Sequence, residues 1–291
     1  MRDQAETLRL KMLGQQGGLG RSIAVVSGKG GVGKSNFTMN FATTLANKGK
    51  KVAIVDMDIG MGNINILIGK NVSYSLKDYL EGNKLLDEVI FEGPYGLKCI
   101  SGGSGMSGVL EWSEVMFERL IHAFEQLQKS FDYILFDMGA GATSWSLDLL
   151  VSIDEIIVLS TAEPTSITDA YSMMKYIYMR DADKQFYILC NRAYSKEEGI
   201  ETNERLKRTM ERFLDKEVTI LGSLPEDPVV RKAVREQVPF SLAYPDALIS
   251  KTLQLIVARF MEHRAEEVHA HDQSAGKFLS KLRSIFSKGR D

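Results

Sequence analysis

The sequence predicts an α/β domain: a doubly wound, mostly parallel sheet of about seven to eight strands, extended by a helix at each end. Three observations predict it. Short, continuously apolar runs rich in β-branched residues recur from residue 22 to residue 260, stretches long enough for crossover helices separate them, and a glycine-rich loop joins the first run to the first helical stretch. Uninterrupted apolar runs suit strands covered on both faces. Their alternation with helical stretches is the pattern of parallel winding.

Residues 1–13 alternate charged and apolar positions, and Ala5, Leu8 and Met12 fall on one side of a short amphipathic helix. The segment lacks the apolar core and cleavage site of an export signal. Gly14-Gln15-Gln16-Gly17-Gly18-Leu19-Gly20 reads as a flexible tether. Strands are expected at 23–27, 52–56, 97–100, 133–137, 155–159, 186–190 and 218–221. Trp112 and Trp145 sit among apolar helical positions and are expected in the core, whereas the charged stretch 205–212 and the trio Arg231, Lys232 and Arg235 read as solvated faces. The polar stretch 263–276 reads as a linker in which His263, His269 and His271 are solvated. The expected organisation is 1–20 helix and tether, 21–262 globular domain, 263–276 linker and 277–291 amphipathic helix.

Composition bounds the function. The chain has 291 residues, 36 Lys plus Arg against 38 Asp plus Glu, and a net charge of -2, so no global field draws it to nucleic acid. Its two cysteines, Cys99 and Cys190, each lie in an apolar run and read as buried thiols in a reducing compartment. No apolar stretch approaches the roughly 20 residues that span a bilayer. The expected location is the cytoplasm, with any membrane contact peripheral.

Gly28-Lys29-Gly30-Gly31-Val32-Gly33-Lys34-Ser35 lies between the first strand and a helical pattern that begins at Asn36. This is a phosphate loop in its required context: glycines let backbone N–H groups converge on a polyphosphate at a helix N-terminus. Lys34 should reach the β- and γ-phosphates, and the Ser35 hydroxyl should ligate Mg2+. Gly28, Gly30 and Gly33 also fit a dinucleotide fingerprint, with Asp56 at the spacing of a ribose-binding acid. Lys34-Ser35 decides for a nucleoside triphosphate, because a dinucleotide turn uses neither the lysine nor the metal-binding hydroxyl. A second glycine pattern, Gly103-Ser104-Gly105-Met106-Ser107-Gly108, reads as a loop.

Asp56-Met57-Asp58 and Asp137-Met138-Gly139-Ala140-Gly141 each follow a strand, and the carboxyl ends of parallel strands share one edge. Asp137 fits an acid that holds Mg2+ through water. Asp56 and Asp58 divide into a second acid of the metal shell and an acid that orients attacking water.

Lys29 in this loop resembles the signature lysine of the deviant Walker A ATPases of the MinD/ParA family. That resemblance spans about residues 21–260 and implies an ATP-bound homodimer in which Lys29 crosses to the partner's nucleotide. It implies that Asp58, in a segment similar to the family's first switch, serves hydrolysis, and that Asp137-Met138-Gly139 corresponds to the second switch, with Met138 in place of the usual Thr. It also implies adenine contacts at Asn191, Arg192 and Pro225, with Asn36 following the loop. A GTPase is disfavoured because no Asn-Lys-x-Asp or Thr-Lys-x-Asp occurs. Paired cluster cysteines are absent, and no acceptor pocket of a small-molecule kinase is legible.

On a helical wheel, Phe278, Leu279, Leu282, Ile285 and Phe286 form one apolar arc flanked by Lys277, Lys281 and Lys288 on one side and Arg283 and Arg290 on the other. That layout suits an anionic bilayer interface. Docking on the domain core is the alternative. Two such helices on a dimer would make attachment nucleotide-dependent.

Asp3-Gln4-Ala5-Glu6-Thr7-Leu8-Arg9 resembles the N-terminal helix of the family's flagellar-number branch, FlhG, also written FleN or YlxH. The resemblance implies that Asp3, Gln4, Leu8 and Arg9 stimulate the GTPase FlhF. It also implies the flagellar C-ring proteins FliM and FliY, or a flagellar transcription factor, as further partners. A ParA-like partition ATPase or a MinD-like division-site ATPase is the alternative.

Overall fold

Eight strands form one sheet in the order β3-β4-β2-β5-β1-β6-β7-β8 in the computed structural model, which describes residues 19–103, 112–141, 143–270 and 277–288. The strands are β1 (Arg21–Val26), β2 (Val52–Asp56), β3 (Ile90–Glu92), β4 (Lys98–Ile100), β5 (Tyr133–Asp137), β6 (Glu155–Ser160), β7 (Gln185–Ala193) and β8 (Thr219–Pro225). Every pairing is parallel except β3 with β4. The eight longer helices are α1 (Lys34–Asn47), α2 (Glu114–Ser130), α3 (Ser144–Ser152), α4 (Pro164–Tyr178), α5 (Lys196–Leu214), α6 (Pro228–Glu236), α7 (Leu248–Ala270) and α8 (Lys277–Lys288).

Alternation along the strands makes two cores. Ile23 and Val25 of β1 pack with Phe37, Phe41 and Leu45 of α1 and with Leu253, Val257 and Phe260 of α7. Ala24 and Val26 point the other way, toward Leu120 and Phe124 of α2, Leu149 of α3 and Met174 of α4. Both faces are therefore dry, as the uninterrupted apolar runs require. The first strand is central, and its register brings Val25 beside Asp137 while Asp56 lies beside Asp137 on the next strand. The carboxyl ends of β1, β2 and β5 thus meet at one edge.

Two expectations about the ends change. Helix α7 continues past residue 262 to Ala270, and the His263 ring packs edge-on to Tyr187 with centroids 6.1 Å apart, so His263 belongs to the domain and not to a solvated linker. His271 and the N-terminal Asp3, Gln4, Leu8 and Arg9 lie outside the described residues, as do most of the second glycine pattern and Arg290. The second change concerns α8. Phe278, Leu279 and Leu282 are fully buried in the core shared with α2 and α3, where the Phe278 ring lies 5.7 Å from Phe124 and 5.9 Å from Phe136. Three of the five residues in the arc read as a lipid-facing surface are, in this structure, seated on protein. A helical wheel identifies an apolar face but not its neighbour. The side chains of Ile285, Phe286, Lys277 and Lys288 lie outside the described set.

Among the described residues, no helix is long and apolar enough to cross a membrane. Trp112 stacks between Phe117 (4.9 Å) and Trp145 (4.4 Å), forming a half-buried aromatic lid over the α2–α3 side.

Candidate functional site

The loop from Ser27 to Gly33 turns β1 into α1, and its glycines answer specific demands. A Cβ on Gly28 would lie 2.1 Å from the Asp169 backbone of α4, and one on Gly33 would lie 2.5 Å from the Asn191 amide nitrogen. Gly33 also has φ of 95°, a left-handed conformation that glycine adopts without strain. As the residue capping α1, it leaves the first N–H groups of that helix aimed at the loop's hollow. Gly30, Gly31 and Val32 complete the turn; Val32 is buried, and its carbonyl accepts a hydrogen bond from Asn191 Nδ2 at 2.8 Å.

Lys34 is buried, and its Nζ donates to the Ser27 hydroxyl at 2.9 Å. Burial lowers its pKa, while Asp137 and then Asp58 oppose that shift. The hydrogen bond of this ammonium goes to a neutral hydroxyl, and phosphate oxygens would be stronger, charge-assisted acceptors. Asp137 ends β5 and is buried; Thr38 donates to its Oδ1 at 3.2 Å, and Ser35 also hydrogen-bonds to it. Burial raises this carboxyl to about 6, against the lowering effects of Ser35, Lys34 and Thr38. A hydroxyl and a buried carboxylate that share a hydrogen bond at the mouth of a phosphate loop form a hard oxygen donor set. It suits Mg2+, which takes few protein ligands together with phosphate and water.

The Asp56 carboxylate accepts the backbone N–H groups of Asp58 (3.1 Å), Asn63 (2.9 Å) and Ile64 (3.3 Å), so it holds the loop after β2 in place while its remaining lone pairs stay at the sheet edge. Burial, then Asp137 beside it, raise it to about 7. The loop it holds carries Asp58. Its neighbour across the edge is Gly139, where an added Cβ would sit 3.5 Å from Asp58 Oδ1. Gly60 and Gly62 donate to the carbonyls of Gly102 and Gly103 at 3.0 and 2.9 Å. Asp58, Asp137 and Lys34 are therefore brought together, with Asp56 underneath.

Lys29 is partly exposed, and its Nζ pairs with Glu163 and with the Thr165 hydroxyl at 3.2 Å. The lysine holds the Glu163 carboxyl below its usual range. A cavity of about 290 Å³ opens on the other side of Gly33, walled by Asn36, Phe37, Asn191, Arg192, Pro225 and Val230. The three residues expected to meet the adenine, Asn191, Arg192 and Pro225, line it, and so does Asn36. Arg192 has φ of 60° and donates to Glu226 at 2.8 Å, and Arg231 donates to the same carboxylate at 3.3 Å. Arg231 is therefore a wall of the site as well as a surface charge. Sequence reasoning missed Ser27, Thr38, Glu163, Thr165 and Glu226. Glu163-Pro164-Thr165 follows β6 at the same sheet edge, so the strand-end rule that found Asp137 could have found it.

The arrangement suits a nucleoside triphosphate: Lys34, Ser35 and Asp137 surround the loop's hollow beside a base-sized cavity. Cys99 and Cys190 are buried on β4 and β7, five strand spacings or about 24 Å apart, too far to share a cluster. Residues 18–261 match the ParA family, described as NUBPL iron-transfer P-loop NTPase. The antiactivator FleN of Pseudomonas aeruginosa is 33% identical over 237 residues, covering 81% of this chain and 85% of that protein. The flagellum site-determining protein YlxH of Helicobacter pylori is 32% identical, covering 89% and 82%. The septum site-determining protein MinD of Pyrococcus horikoshii, solved with Mg-ADP, superposes with a TM-score of 0.69 at 25% identity, covering 85% and 98%.

Proposed function

From the premise that the chain belongs to the ParA/MinD family of P-loop NTPases, we propose that it is an ATP-hydrolysing switch that sets the number or placement of flagella from the cytoplasmic face of the membrane. The observation that carries the ATPase reading is the convergence of Lys34, Ser35, Asp137 and Asp58 on one phosphate loop beside a base-sized cavity. Mg2+ would sit with Ser35 and Asp137, and would supply charge neutralisation for the phosphates. Lys34 binds the β- and γ-oxygens and replaces its contact with Ser27 by phosphate. Asp58 orients the attacking water. Asp56 acts one step back, fixing the backbone that presents Asp58. Asn191 spends its amide nitrogen on Val32, so its oxygen is the half left to accept a base amine.

Lys29 is the group that couples nucleotide to assembly. In the single chain it rests on Glu163 and Thr165 at the surface; in the ATP-bound homodimer it exchanges those contacts for the partner's nucleotide. The FleN and YlxH relatives, with the N-terminal Asp-Gln-Ala-x-x-Leu-Arg pattern, support a flagellar role. The segment bearing Asp3, Gln4, Leu8 and Arg9 would stimulate FlhF, with FliM, FliY or a flagellar transcription factor as further partners. Membrane attachment requires α8 to leave its seat, and dimerisation is the event that would release it.

Sedimentation velocity with ADP and with a non-hydrolysable ATP analogue tests the switch. A dimer with the analogue alone, lost in Lys29→Ala, is expected; a Lys29→Ala variant that dimerises normally would refute the crossing role.

A further inference from the structure

Helix α8 is held by two kinds of contact. Beneath it Phe278, Leu279 and Leu282 are buried. Along its flanks, Lys281 Nζ donates to Asp181 at 2.7 Å, and Arg283 pairs with Glu125 of α2. Both acids are only 12% exposed, so these are charge-assisted contacts at the margin of the core and not solvated surface pairs. Asp181 also faces Lys184, whose nitrogen is 3.5 Å away on a side chain that is 3% exposed. Lys184 in turn donates to the carbonyls of Val151, at 2.7 Å, and Ile153. Those carbonyls close the C-terminal end of α3. The same helix starts at Thr143 and Ser146, whose side chains cap it reciprocally just beyond the Asp137 loop. A continuous set of polar contacts therefore runs from α8 through Asp181 and Lys184 to α3, and α3 is itself a wall of the α8 seat. Burial, and then the nearby Lys281, push the Lys184 amine down to about 8, which is a second sign that seating α8 is felt at Lys184.

An apolar face alone would dock without reference to charge. Here two of the basic groups that would meet an anionic lipid headgroup, Lys281 and Arg283, are already occupied by protein carboxylates, which offer the same anionic oxygen acceptors. We propose that Asp181 and Glu125 form an acidic latch that competes with anionic lipid headgroups for Lys281 and Arg283, and that Lys184 ties this latch to the end of α3 so that the α8 seat and the loop after β5 shift together. The lipid competitor rests on the functional reading above; the latch and its tie to α3 do not.

Amide hydrogen exchange of the full-length protein, with ADP and without vesicles, tests the latch directly. Asp181→Asn combined with Glu125→Gln is expected to speed exchange across residues 277–288 by about tenfold or more, while β1 and β5 keep their protection. Exchange equal to that of the unsubstituted protein would overturn the latch. Exchanging the charges, Glu125→Arg with Arg283→Glu, should restore protection that Arg283→Glu alone removes, and no restoration would count against an electrostatic origin. Lys184→Met should loosen residues 139–146 as well as α8; loosening confined to α8 would refute the tie. Because these readouts need no membrane, an unsubstituted protein that ignores phosphatidylglycerol vesicles in every nucleotide state would sink the functional reading and leave the latch standing. Conversely, unchanged exchange sinks the latch even if the protein binds vesicles.

Discussion

Asp56, Asp58 and Asp137 show how three like residues on one sheet edge acquire different work. Asp137 has hydroxyl and ammonium neighbours and faces the phosphate hollow; Asp56 is consumed by three backbone N–H groups; Asp58 is left half-exposed between the two loops. Removing each should therefore fail differently. Asp58→Ala should bind ATP, hydrolyse it on the order of 10²-fold more slowly, and accumulate as dimer; steady-state phosphate release at the normal rate would refute its role. Asp56→Ala should instead destabilise the fold around residues 57–64, because three N–H groups lose one acceptor, at about 1–3 kcal/mol by denaturant unfolding. Gly28→Ala should be worse than Gly30→Ala in a thermal melt, since only the first puts a Cβ into the α4 backbone, 2.1 Å from Asp169, whereas the second meets its nearest neighbour at 3.8 Å. The loop's residue types were legible because phosphate chemistry needs them in fixed order. The distinction between Asp56 and its neighbours was not, because it depends on which backbone amides the chain folds over each carboxylate.

At the scale of elements, the seven expected apolar runs all became strands; the central ones are buried on both faces and need only their own sequence to say so, whereas β8, at the sheet edge, buries only Leu221 and Leu224. β3 was missed. It is three residues long, half-exposed and antiparallel at the sheet edge, and its only partner is β4, so periodicity carried no signal. α7 outran its expected end because His263 has an aromatic seat on Tyr187 that a polar-linker reading cannot foresee. For α8 the wheel found an apolar arc and assigned it to a bilayer, with core docking as the alternative, because a bilayer and a protein groove both reward apolar area. Phe278, Leu279 and Leu282 contribute about 1.5–3 kcal/mol each when buried. Phe278→Ala should therefore release α8 before it unfolds the domain. Hydrogen exchange across 277–288 should rise sharply while the main melting transition moves little; a melt lowered by the full cost of a core Phe→Ala change would show that α8 is an inseparable part of the fold.

In the molecule as a whole, one sheet adjoins three places: the phosphate edge, the Lys29 surface and the α8 seat. β5 delivers Asp137 at one end and carries Phe136, which supports Phe278 on the α8 side. A change at the phosphate edge can thus reach the terminal helix without any long-range field. The net charge of -2 offers neither duplex DNA nor an anionic membrane a general attraction, so ATP-dependent binding should rest on the released apolar and basic face of α8, which suits a membrane and not DNA. Attachment through two released helices per dimer should exceed that of one by about 10²- to 10⁴-fold. The most direct test is co-sedimentation of the full-length Asp58→Ala protein with phosphatidylglycerol vesicles, and separately with duplex DNA, in ATP and in ADP. Pelleting with vesicles in ATP, little in ADP and none with DNA is the predicted result; equal pelleting in the two nucleotides, or ATP-dependent pelleting with DNA alone, would contradict the switch described here.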